Sequence, residues 1–224
     1  MNKPIEYKRG FCNFLGCKID LSQGPMIPRK ETEFWVKKAI KNVVNAIDVV
    51  NVKNIKILDV FAGSGCIGIA ILKNIKNVQV NFTEINKKFL KQIKINLKLN
   101  KINFKRYKII QSDIFNNLRT SQVLNFDYIF ANPPYIALKR KHLVQNSVYE
   151  YEPHTAIFGG EDGLLYIRKF LKQAKNHLKK HGKIYLEFDY FQKNDIEKLL
   201  NQFKYKKFQF FKDQFQKWRW VVCS

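Results

Sequence analysis

Short apolar runs alternate with amphipathic helical segments from residue 55 onward, and this alternation constrains the fold more than any other feature. IKILDVF (55–61) precedes helical CIGIAILKN, and VQVNFTE (78–84) precedes helical NKKFLKQIKINLKL (86–99). A helical connection carries the chain to a parallel neighbouring strand, and a strand covered on both faces is apolar along its whole length. The pattern predicts an α/β fold with a doubly wound, mostly parallel sheet.

Further strands and helices continue the pattern to the end of the sequence. Strands are predicted at YKIIQSD (107–113), FDYIFANP (126–133), KIYLEFD (183–189), KKFQFFKD (206–213) and WRWVVCS (218–224), and helices over 161–180 and 192–202. The segment between the last two strands is too short for a parallel crossover, so we expect an antiparallel C-terminal pair. The sheet then has seven strands.

Two smaller elements are predicted before residue 55. Residues 5–24 alternate apolar and polar side chains around Gly10 and Gly16, which is typical of a small β-hairpin. Pro28 can open a helix that Thr32 or a nearby polar residue caps. We therefore expect an N-terminal β-hairpin extension over residues 1–27 and a larger domain over residues 28–224.

The charge balance indicates either an anionic partner or a solvated lysine-rich surface. The sequence has 41 Lys and Arg residues against 18 Asp and Glu residues, a net charge of +23. A charge this large attracts polyanions such as RNA. Lysine supplies 34 of the basic residues and arginine only 7, and lysine is the less specific phosphate ligand. RNA or ribosome contact and mere composition therefore remain open alternatives.

Composition and terminal sequence also exclude several classes of protein. A hydrophobic fraction of 46% is far above that of a disordered chain. The N-terminal MNKPIEYKRG lacks the apolar core of a signal peptide, and no apolar run approaches the ~18 residues of a membrane span. The four cysteines have neither paired spacing nor an accompanying histidine cluster. We expect a cytoplasmic protein with reduced thiols, no metal and no membrane contact.

Two candidate ligand groups follow the first two predicted strands of the sheet. DVFAGSG (59–65) combines small residues that permit a tight turn and close backbone approach to a ligand, although Phe61 occupies the first glycine position of the dinucleotide-binding pattern. Glu84 lies 21 residues after Gly63, the offset at which an acid accepts hydrogen bonds from a ribose diol. The alternatives are a structural glycine-rich turn and an acid that caps the helix near Asn86.

The other two groups follow the next two strands. Asp113 can accept a hydrogen bond from an adenine amino group while Ile114 packs on the ring, or Asp113 can simply stabilise a turn. ANPPYIAL (131–138) ends an apolar strand on two prolines, which leave carbonyl acceptors without neighbouring donors. The side chain of Asn132 and the carbonyl of Pro133 can hold both hydrogens of a planar NH₂ group, and Tyr135 can orient its plane.

Together these four groups resemble those of S-adenosylmethionine-dependent methyltransferases that modify planar NH₂ groups. Three further segments narrow the resemblance: IPRKETE (27–33), EYEPHTAIFGGEDGL (150–164) and KDQFQKWRWVV (212–222). They are similar to the corresponding motifs of the release-factor glutamine methyltransferases, the PrmC/HemK family. The resemblance covers roughly residues 10–222. It implies a Rossmann-like S-adenosylmethionine-dependent methyltransferase domain over residues 28–224.

The resemblance also implies a reaction, a cofactor and a site. The reaction is methyl transfer from S-adenosyl-L-methionine to the side-chain N5 of the glutamine in the Gly-Gly-Gln motif of a peptide chain release factor, a step in translation termination. The implied cofactor residues are Phe61, Ala62, Gly63, Ser64, Gly65, Glu84, Asp113, Ile114 and Asn132. The implied catalytic residues are Asn132, Pro133 and Tyr135. The implied substrate residues are Asn132, Pro133, Pro134, Tyr135, Arg29, Glu33, Glu152 and Pro153.

This sequence departs from the family pattern at a few positions. Phe61 and Ala62 stand where the family usually has Gly-Thr, and Lys30 replaces a proline. Bacterial members carry a helical N-terminal domain before the hairpin, whereas nine residues precede Gly10 here, so we expect the catalytic domain alone. An adenine-N6 methyltransferase acting on RNA or DNA is the alternative function, and a non-catalytic RNA- or ribosome-binding module is a third.

Overall fold

The computed structural model describes residues 3–50, 54–118 and 125–224. Its helices are α1 (Ile5–Arg9), α2 (Lys30–Val50), α3 (Cys66–Asn74), α4 (Lys87–Leu99), α5 (Asn146–Tyr151), α6 (Leu165–Ala174) and α7 (Lys193–Gln202). Its strands are β1 (Phe11–Phe14), β2 (Cys17–Asp20), β3 (Ile55–Val60), β4 (Val78–Glu84), β5 (Tyr107–Gln111), β6 (Phe126–Ala131), β7 (Leu178–Glu187), β8 (Phe208–Lys212) and β9 (Trp218–Cys223).

The main sheet confirms the predicted fold class. Within the described ranges, seven strands pair in the order β5-β4-β3-β6-β7-β9-β8. The five strands from β5 to β7 are parallel, and β9 pairs antiparallel with both β7 and β8. The strand order reverses between β3 and β6, and in such sheets ligands bind at the carboxyl ends of the strands near this point.

Alternating side chains of the parallel strands enter two separate cores, one on each face of the sheet. Ile57 belongs to the core under α2, α3 and α4, whereas Leu58 belongs to the core under α6 and α7. In the first core the fully buried Trp35 of α2 stacks on Phe130 and Tyr185, with centroid distances of 6.1 and 6.5 Å. Truncating a buried aromatic of this kind costs about 3–5 kcal/mol, so α2 is held firmly against the sheet.

The predicted hairpin is formed by β1 and β2, and amide side chains of α4 and of Asn100, the residue that caps its C-terminus, hold it. The backbone N–H of Asp20 donates to Asn96 Oδ1 at 2.7 Å, and that of Lys18 donates to Asn100 Oδ1 at 3.1 Å. Asn96 Nδ2 also donates to the carbonyl of Ser64 at 2.9 Å. The hairpin is therefore linked directly to the turn after β3, while the predicted domain boundary at residue 27 stays a prediction.

Several local predictions were wrong in their bounds. Residues 5–9 form α1 rather than a strand, and the left-handed Gly10 (φ 78°) ends this helix. Helix α6 begins at Leu165 instead of 161, because Gly163 adopts a left-handed φ of 77° just before it. The strands predicted to reach 113, 133 and 189 end earlier, at Gln111, Ala131 and Glu187. In the first two cases the residues that follow, Ser112, Asp113 and Asn132, line the cavity described below.

Two further observations concern the cysteines and the membrane. The four cysteines are free thiols, and three of them are buried. Across the described part of the chain, no helix is long and apolar enough to cross a lipid bilayer.

Candidate functional site

A cavity of about 240 Å³ opens at the carboxyl ends of β3, β4, β5 and β6. Its wall includes most of the predicted cofactor and substrate residues, namely Phe61, Ala62, Gly63, Ser64, Glu84, Asp113, Ile114, Asn132 and Pro134. The remaining predicted residues, Gly65, Pro133, Tyr135, Arg29, Glu33, Glu152 and Pro153, lie outside this lining. The strand ends therefore bring together groups that are up to 73 positions apart in sequence, from Phe61 to Pro134.

The turn after β3 is built for close backbone approach. Gly63 has a left-handed φ of 54°, and a Cβ added there would meet only the Phe61 carbonyl oxygen, at 3.9 Å. Gly65 is left-handed as well, and its Cβ would meet Ile69 and Ile93 at 3.2 Å. Gly63 thus keeps open space at the cavity, whereas Gly65 allows α3 and α4 to pack tightly behind the turn.

Phe61 adopts the backbone conformation that glycine favours although it carries a large side chain. Its φ is 59°, and a non-glycine residue in this region costs on the order of 1–3 kcal/mol. The ring packs edge-on against Tyr166 and tilted against Phe170, each with a centroid distance of 6.2 Å. These contacts hold the strained residue, so the departure from Gly-Thr leaves the turn in a left-handed conformation.

Glu84 ends β4 and joins two backbone amides at the cavity wall. Its Oε2 accepts from the N–H of Gly63 at 2.8 Å and its Oε1 from the N–H of Asn86 at 2.9 Å. Burial raises the pKa of Glu84, while the hydrogen bonds from Asn86 and Gly63 oppose that rise. A carboxylate has about four lone-pair sites. Glu84 can therefore organise this turn and still accept from the two hydroxyls of a ribose.

Asp113 and two isoleucines line the cavity after β5 and β4. The N–H of Ser112 donates to the Glu84 carbonyl at 3.0 Å, which ties the two strand ends together. Ile114 is buried in a left-handed conformation, whereas Ile85 is 61% exposed. An exposed isoleucine on a cavity wall leaves apolar surface for a planar ring, and the carboxyl of Asp113 supplies an acceptor for an amino group on that ring.

These features fit S-adenosylmethionine on structural grounds. The hydroxyl of Thr83 is buried on the cavity wall and has no hydrogen-bond partner among the described residues, so a polar ligand would satisfy it. The open space at Gly63, the carboxylate of Glu84 and the apolar side chains of Ile85 and Ile114 match a backbone approach, a ribose and an adenine. The cofactor roles of the individual residues stay predictions.

Asn132 follows β6 and is held by a buried polar group at the end of β7. Its Nδ2 lies 3.4 Å from Thr32 Oγ1, and the Thr32 hydroxyl donates to Glu187 Oε2 at 2.8 Å. Trp35 Nε1 donates to the same oxygen at 2.6 Å, and the hydroxyl of Tyr135 donates to Glu187 Oε1 at 3.1 Å. Burial raises the pKa of Glu187, and the donors from Trp35, Thr32 and Tyr135 counteract it.

The loop over residues 157–163 packs directly against the backbone that follows Asn132. The N–H of Gly159 donates to the Ile136 carbonyl at 2.9 Å, and the N–H of Ile136 donates to the Ile157 carbonyl at 2.9 Å. Gln192 Nε2 donates to the carbonyls of Tyr135 and Gly163 at 2.9 and 3.1 Å. A Cβ at Gly159 would lie 2.5 Å from the Pro134 carbonyl oxygen. The glycines of this loop therefore allow it to pack closely against residues 133–137, the proline segment, and to clamp them in place.

The carbonyl of Pro133 accepts no hydrogen bond from this loop. Within residues 3–50, 54–118 and 125–224, no hydrogen bond ends on that oxygen. Pro133 itself is buried and is followed by Pro134, so the local backbone has no N–H to offer. The NH₂ group of a substrate could donate a hydrogen bond to this oxygen.

The predicted substrate residues outside the cavity make internal contacts. Arg29 pairs with Glu152 at 2.6 Å, and Glu152 Oε2 also accepts from the N–H of Ile27 at 3.2 Å. Glu33 Oε1 accepts from the N–H of Leu15 at 2.8 Å. Arg29 and Glu152 line a second cavity of about 330 Å³ that shares Pro28 with the first. These contacts join the IPRKETE segment to the hairpin and to the loop, while substrate contact stays a prediction.

Sequence reasoning missed several residues at the site. Glu187 is predicted only as part of a strand, although a carboxylate inside the apolar run KIYLEFD indicates a buried polar group. Thr32 is predicted as a helix cap, but its hydroxyl donates to Glu187 instead. Ile85, an apolar residue directly after an acidic strand end, could also have been singled out. Met26, Thr155 and Tyr166 also line the cavity. Thr155 lies within the EYEPHTAIFGGEDGL segment and Tyr166 within a predicted helix, but neither residue has a chemical feature that singles it out.

Comparison with known proteins gives consistent matches. The family model described as methyltransferase small domain matches residues 38–150. A release factor glutamine methyltransferase of Lactococcus lactis is 35% identical over 201 residues, which cover 90% of this chain and 69% of that protein. One of Flavobacterium psychrophilum is 33% identical over 207 residues, covering 91% and 69%.

A solved structure shows the same fold at low sequence identity. The N-terminal domain of human METTL16 in complex with SAH aligns with a TM-score of 0.66 and 15% identity, covering 93% of this chain and 75% of that one. The similarity confirms the predicted Rossmann-like sheet with its C-terminal antiparallel pair.

Proposed function

This chain belongs to the release factor glutamine methyltransferase family, and we propose that it methylates the side-chain nitrogen N5 of the glutamine in the Gly-Gly-Gln motif of a peptide chain release factor. The methyl donor is S-adenosyl-L-methionine. One observation supports the proposal at the level of the site, namely that Asn132, which directly precedes Pro133 and Pro134, lines a cavity that fits this cofactor and has its Nδ2 3.4 Å from Thr32 Oγ1. The relatives favour this function over the adenine methyltransferase alternative.

The chemistry requires the site to improve a poor nucleophile. An amide nitrogen has a lone pair delocalised into its carbonyl, and S-adenosylmethionine supplies an electrophilic methyl group on a positively charged sulfur. Asn132 Oδ1 and the Pro133 carbonyl oxygen accept the two N–H hydrogens of the glutamine and hold the nitrogen in line for attack. These acceptors stabilise the positive charge that develops on the hydrogens in the transition state. As the nitrogen bonds to the methyl carbon, the bond from that carbon to sulfur would break and S-adenosylhomocysteine would leave; the nitrogen would then release one proton to water.

The remaining residues divide between the two ligands. We assign the turn over 61–65, Glu84, Asp113 and Ile114 to the cofactor. Pro134 and Tyr135 shape the glutamine pocket, and the hydrogen bond from the Tyr135 hydroxyl to Glu187 fixes the ring. Arg29, Glu33, Glu152 and Pro153 act on the substrate indirectly, because the pair between Arg29 and Glu152 lines the second cavity, which shares Pro28 with the first.

Labelled cofactor tests this function directly. The protein is incubated with methyl-labelled S-adenosylmethionine and a release factor, and the label is located by peptide mass spectrometry. We expect one methyl group on the Gly-Gly-Gln glutamine and none on a release factor in which that glutamine is replaced by asparagine. A parallel incubation with total RNA serves as the alternative substrate. Label in RNA with none on the glutamine would overturn the proposal.

We further propose that the lysine-rich surface contacts RNA or the ribosome in the cytoplasm. On α4, Lys87, Lys91, Lys94 and Lys98 are all exposed. Elsewhere on the surface, Arg140 lies 4.1 Å above the ring of Phe191, and Lys217 lies 4.8 Å above the ring of Tyr190. The two rings are 3.8 Å apart, so cations and aromatic faces alternate as they do in surfaces that bind single-stranded RNA.

Fluorescence anisotropy with a short single-stranded RNA tests this contact. We expect Phe191→Ala to weaken binding several-fold at a fixed salt concentration, because a stacked base contributes about 1–3 kcal/mol. Phe215→Ala is the control, since Phe215 is exposed at 58% but has no cation over its ring among the described residues. Equal losses in the two variants would contradict a specific surface at Phe191.

A further inference from the structure

We propose that Thr32 and Glu187 are positioning residues that fix the side-chain amide of Asn132 with its carbonyl oxygen toward the cavity. The inference rests on the proposed function, because it explains how Asn132 becomes a hydrogen-bond acceptor for the substrate. Thr32, Glu187 and Asn132 come from the first turn of α2, the end of β7 and the end of β6. The fold brings them together over separations of 155 and 100 residues.

Glu187 determines which atoms donate and which accept in this group of hydrogen bonds. An ionised carboxylate can only accept, and an indole N–H can only donate. Trp35 Nε1 and the Thr32 hydroxyl both donate to Glu187 Oε2, at 2.6 and 2.8 Å, and the Tyr135 hydroxyl donates to Oε1 at 3.1 Å. Burial raises the pKa of Glu187, and the three donors oppose that rise by favouring the charged form; Oε2 accepts from both Trp35 and Thr32.

Thr32 transmits this direction to Asn132. A threonine hydroxyl has a single hydrogen, and in this protein that hydrogen is given to Glu187. Only lone pairs of Thr32 Oγ1 then face the side chain of Asn132, 3.4 Å from Nδ2. The amide of Asn132 must therefore present its NH₂ group to Thr32, which leaves Oδ1 for the opposite side.

A flipped amide would be unfavourable and inactive. Rotation by about half a turn would set Asn132 Oδ1 against the lone pairs of Thr32 and would turn two N–H donors toward the NH₂ group of the substrate. An unmade buried hydrogen bond of this kind costs about 1–3 kcal/mol. Thr32 and Glu187 are 2% and 1% exposed, so water cannot replace the missing partner. The arrangement explains why a threonine stands at this position of IPRKETE.

Steady-state kinetics with three variants test the inference. Thr32→Val keeps the shape but removes the hydroxyl, Thr32→Ser restores it, and Glu187→Gln provides an amide that can donate to Thr32 and so reverse the direction. We expect Thr32→Val and Glu187→Gln to lower kcat by about 10²-fold, the size seen when one preorganised hydrogen bond is lost. Thr32→Ser should stay within a few-fold of wild type, as should the dissociation constant for S-adenosylmethionine in all three.

Tyr205→Phe is the matched control for loss of a buried hydroxyl. The Tyr205 hydroxyl donates to the Leu171 carbonyl at 2.9 Å in the opposite core, so its removal should lower stability without changing kcat. Because Thr32 acts through Asn132, the variant Asn132→Ala with Thr32→Val should be no slower than Asn132→Ala alone. Additive losses, or a Thr32→Val enzyme as fast as the control, would overturn the inference.

An NMR experiment on the free protein separates this inference from the proposed function. In protein labelled with ¹⁵N-asparagine, the side-chain NH₂ signal of Asn132 is assigned by its loss in Asn132→Ala. We expect this signal to shift in Thr32→Val and in Glu187→Gln and to stay in place in Thr32→Ser and Tyr205→Phe. An unchanged signal in Thr32→Val would overturn the positioning role. If the signal shifts but no release factor is methylated by the wild type, the proposed function fails instead.

Discussion

Replacing Gly163 with alanine would force apart the loop and the proline segment that it clamps. The added Cβ would overlap the Tyr135 carbonyl oxygen and would lie 2.7 Å from Gln192 Nε2 and 2.9 Å from the Ala137 nitrogen. Two of these three atoms belong to the backbone, so the overlap cannot be relieved by moving a side chain alone. Gly163 also has a φ of 77°, where alanine costs about 1–2 kcal/mol.

The loss in free energy of unfolding can be worked out from the hydrogen bonds that the Gly163→Ala substitution breaks. Displacing Gln192 loses its hydrogen bonds to the carbonyls of Tyr135 and Gly163, each worth about 0.5–1.5 kcal/mol. With the backbone strain included, we expect Gly163→Ala to lower the free energy of unfolding by about 2–5 kcal/mol. We also expect kcat to fall, because the carbonyl of Pro133 would move away from the glutamine.

Gly24→Ala is the matched control for this prediction. Gly24 has a φ of 68°, but a Cβ added there would meet nothing within 4 Å. Urea unfolding should show a loss of about 1–2 kcal/mol for this variant, and its methylation kinetics should match those of the wild type. If Gly163→Ala costs no more stability than Gly24→Ala, the close approach of the loop does not constrain the proline segment.

Two further predictions concern single carboxyl groups. Glu84→Gln should weaken S-adenosylmethionine binding at least about tenfold in calorimetry, because a side-chain amide has one acceptor oxygen and a carboxylate has two. An unchanged affinity would show that Glu84 does not bind the ribose. Burial raises the pKa of Asp59 to about 8. Between the ordinary aspartate pKa and this value, Asp59 is protonated in the folded chain and ionised in the unfolded chain. The free energy of unfolding should therefore fall as pH rises toward 8, by at most ~1.4 kcal/mol per pH unit for this group. Urea unfolding at several pH values should show a flatter dependence in Asp59→Asn, and an equal slope would refute the assignment.

The fold was predictable because its signals are local. Runs such as VQVNFTE and the helical segment after it carry their period within a few residues, and β4 (Val78–Glu84) has the predicted bounds. The link between β8 and β9 is too short for a parallel crossover, so its length alone predicts an antiparallel pair. The five-residue α1 was missed because an alternating pattern of that length fits a strand or one helical turn equally well.

The candidate site was predictable only where a strand end carried its own signal. Glu84, Asp113 and Asn132 follow apolar runs directly, and the cavity brings them together. The pairing of Glu187 with Thr32 depends on contact across 155 residues, which no local pattern encodes. The contact between Arg29 and Glu152 spans 123 residues and is equally absent from any local pattern, and their role in substrate binding stays a prediction.

Methylation of a release factor by the wild type and by Asn132→Ala tests the central claim most directly. The variant removes the side-chain acceptor but no contact of the hydrophobic cores, so we expect a wild-type unfolding transition. With label located by mass spectrometry, the wild type should place one methyl group on the Gly-Gly-Gln glutamine, and the variant should be slower by about 10²-fold or more. A folded Asn132→Ala enzyme that methylates this glutamine at the wild-type rate would contradict the account.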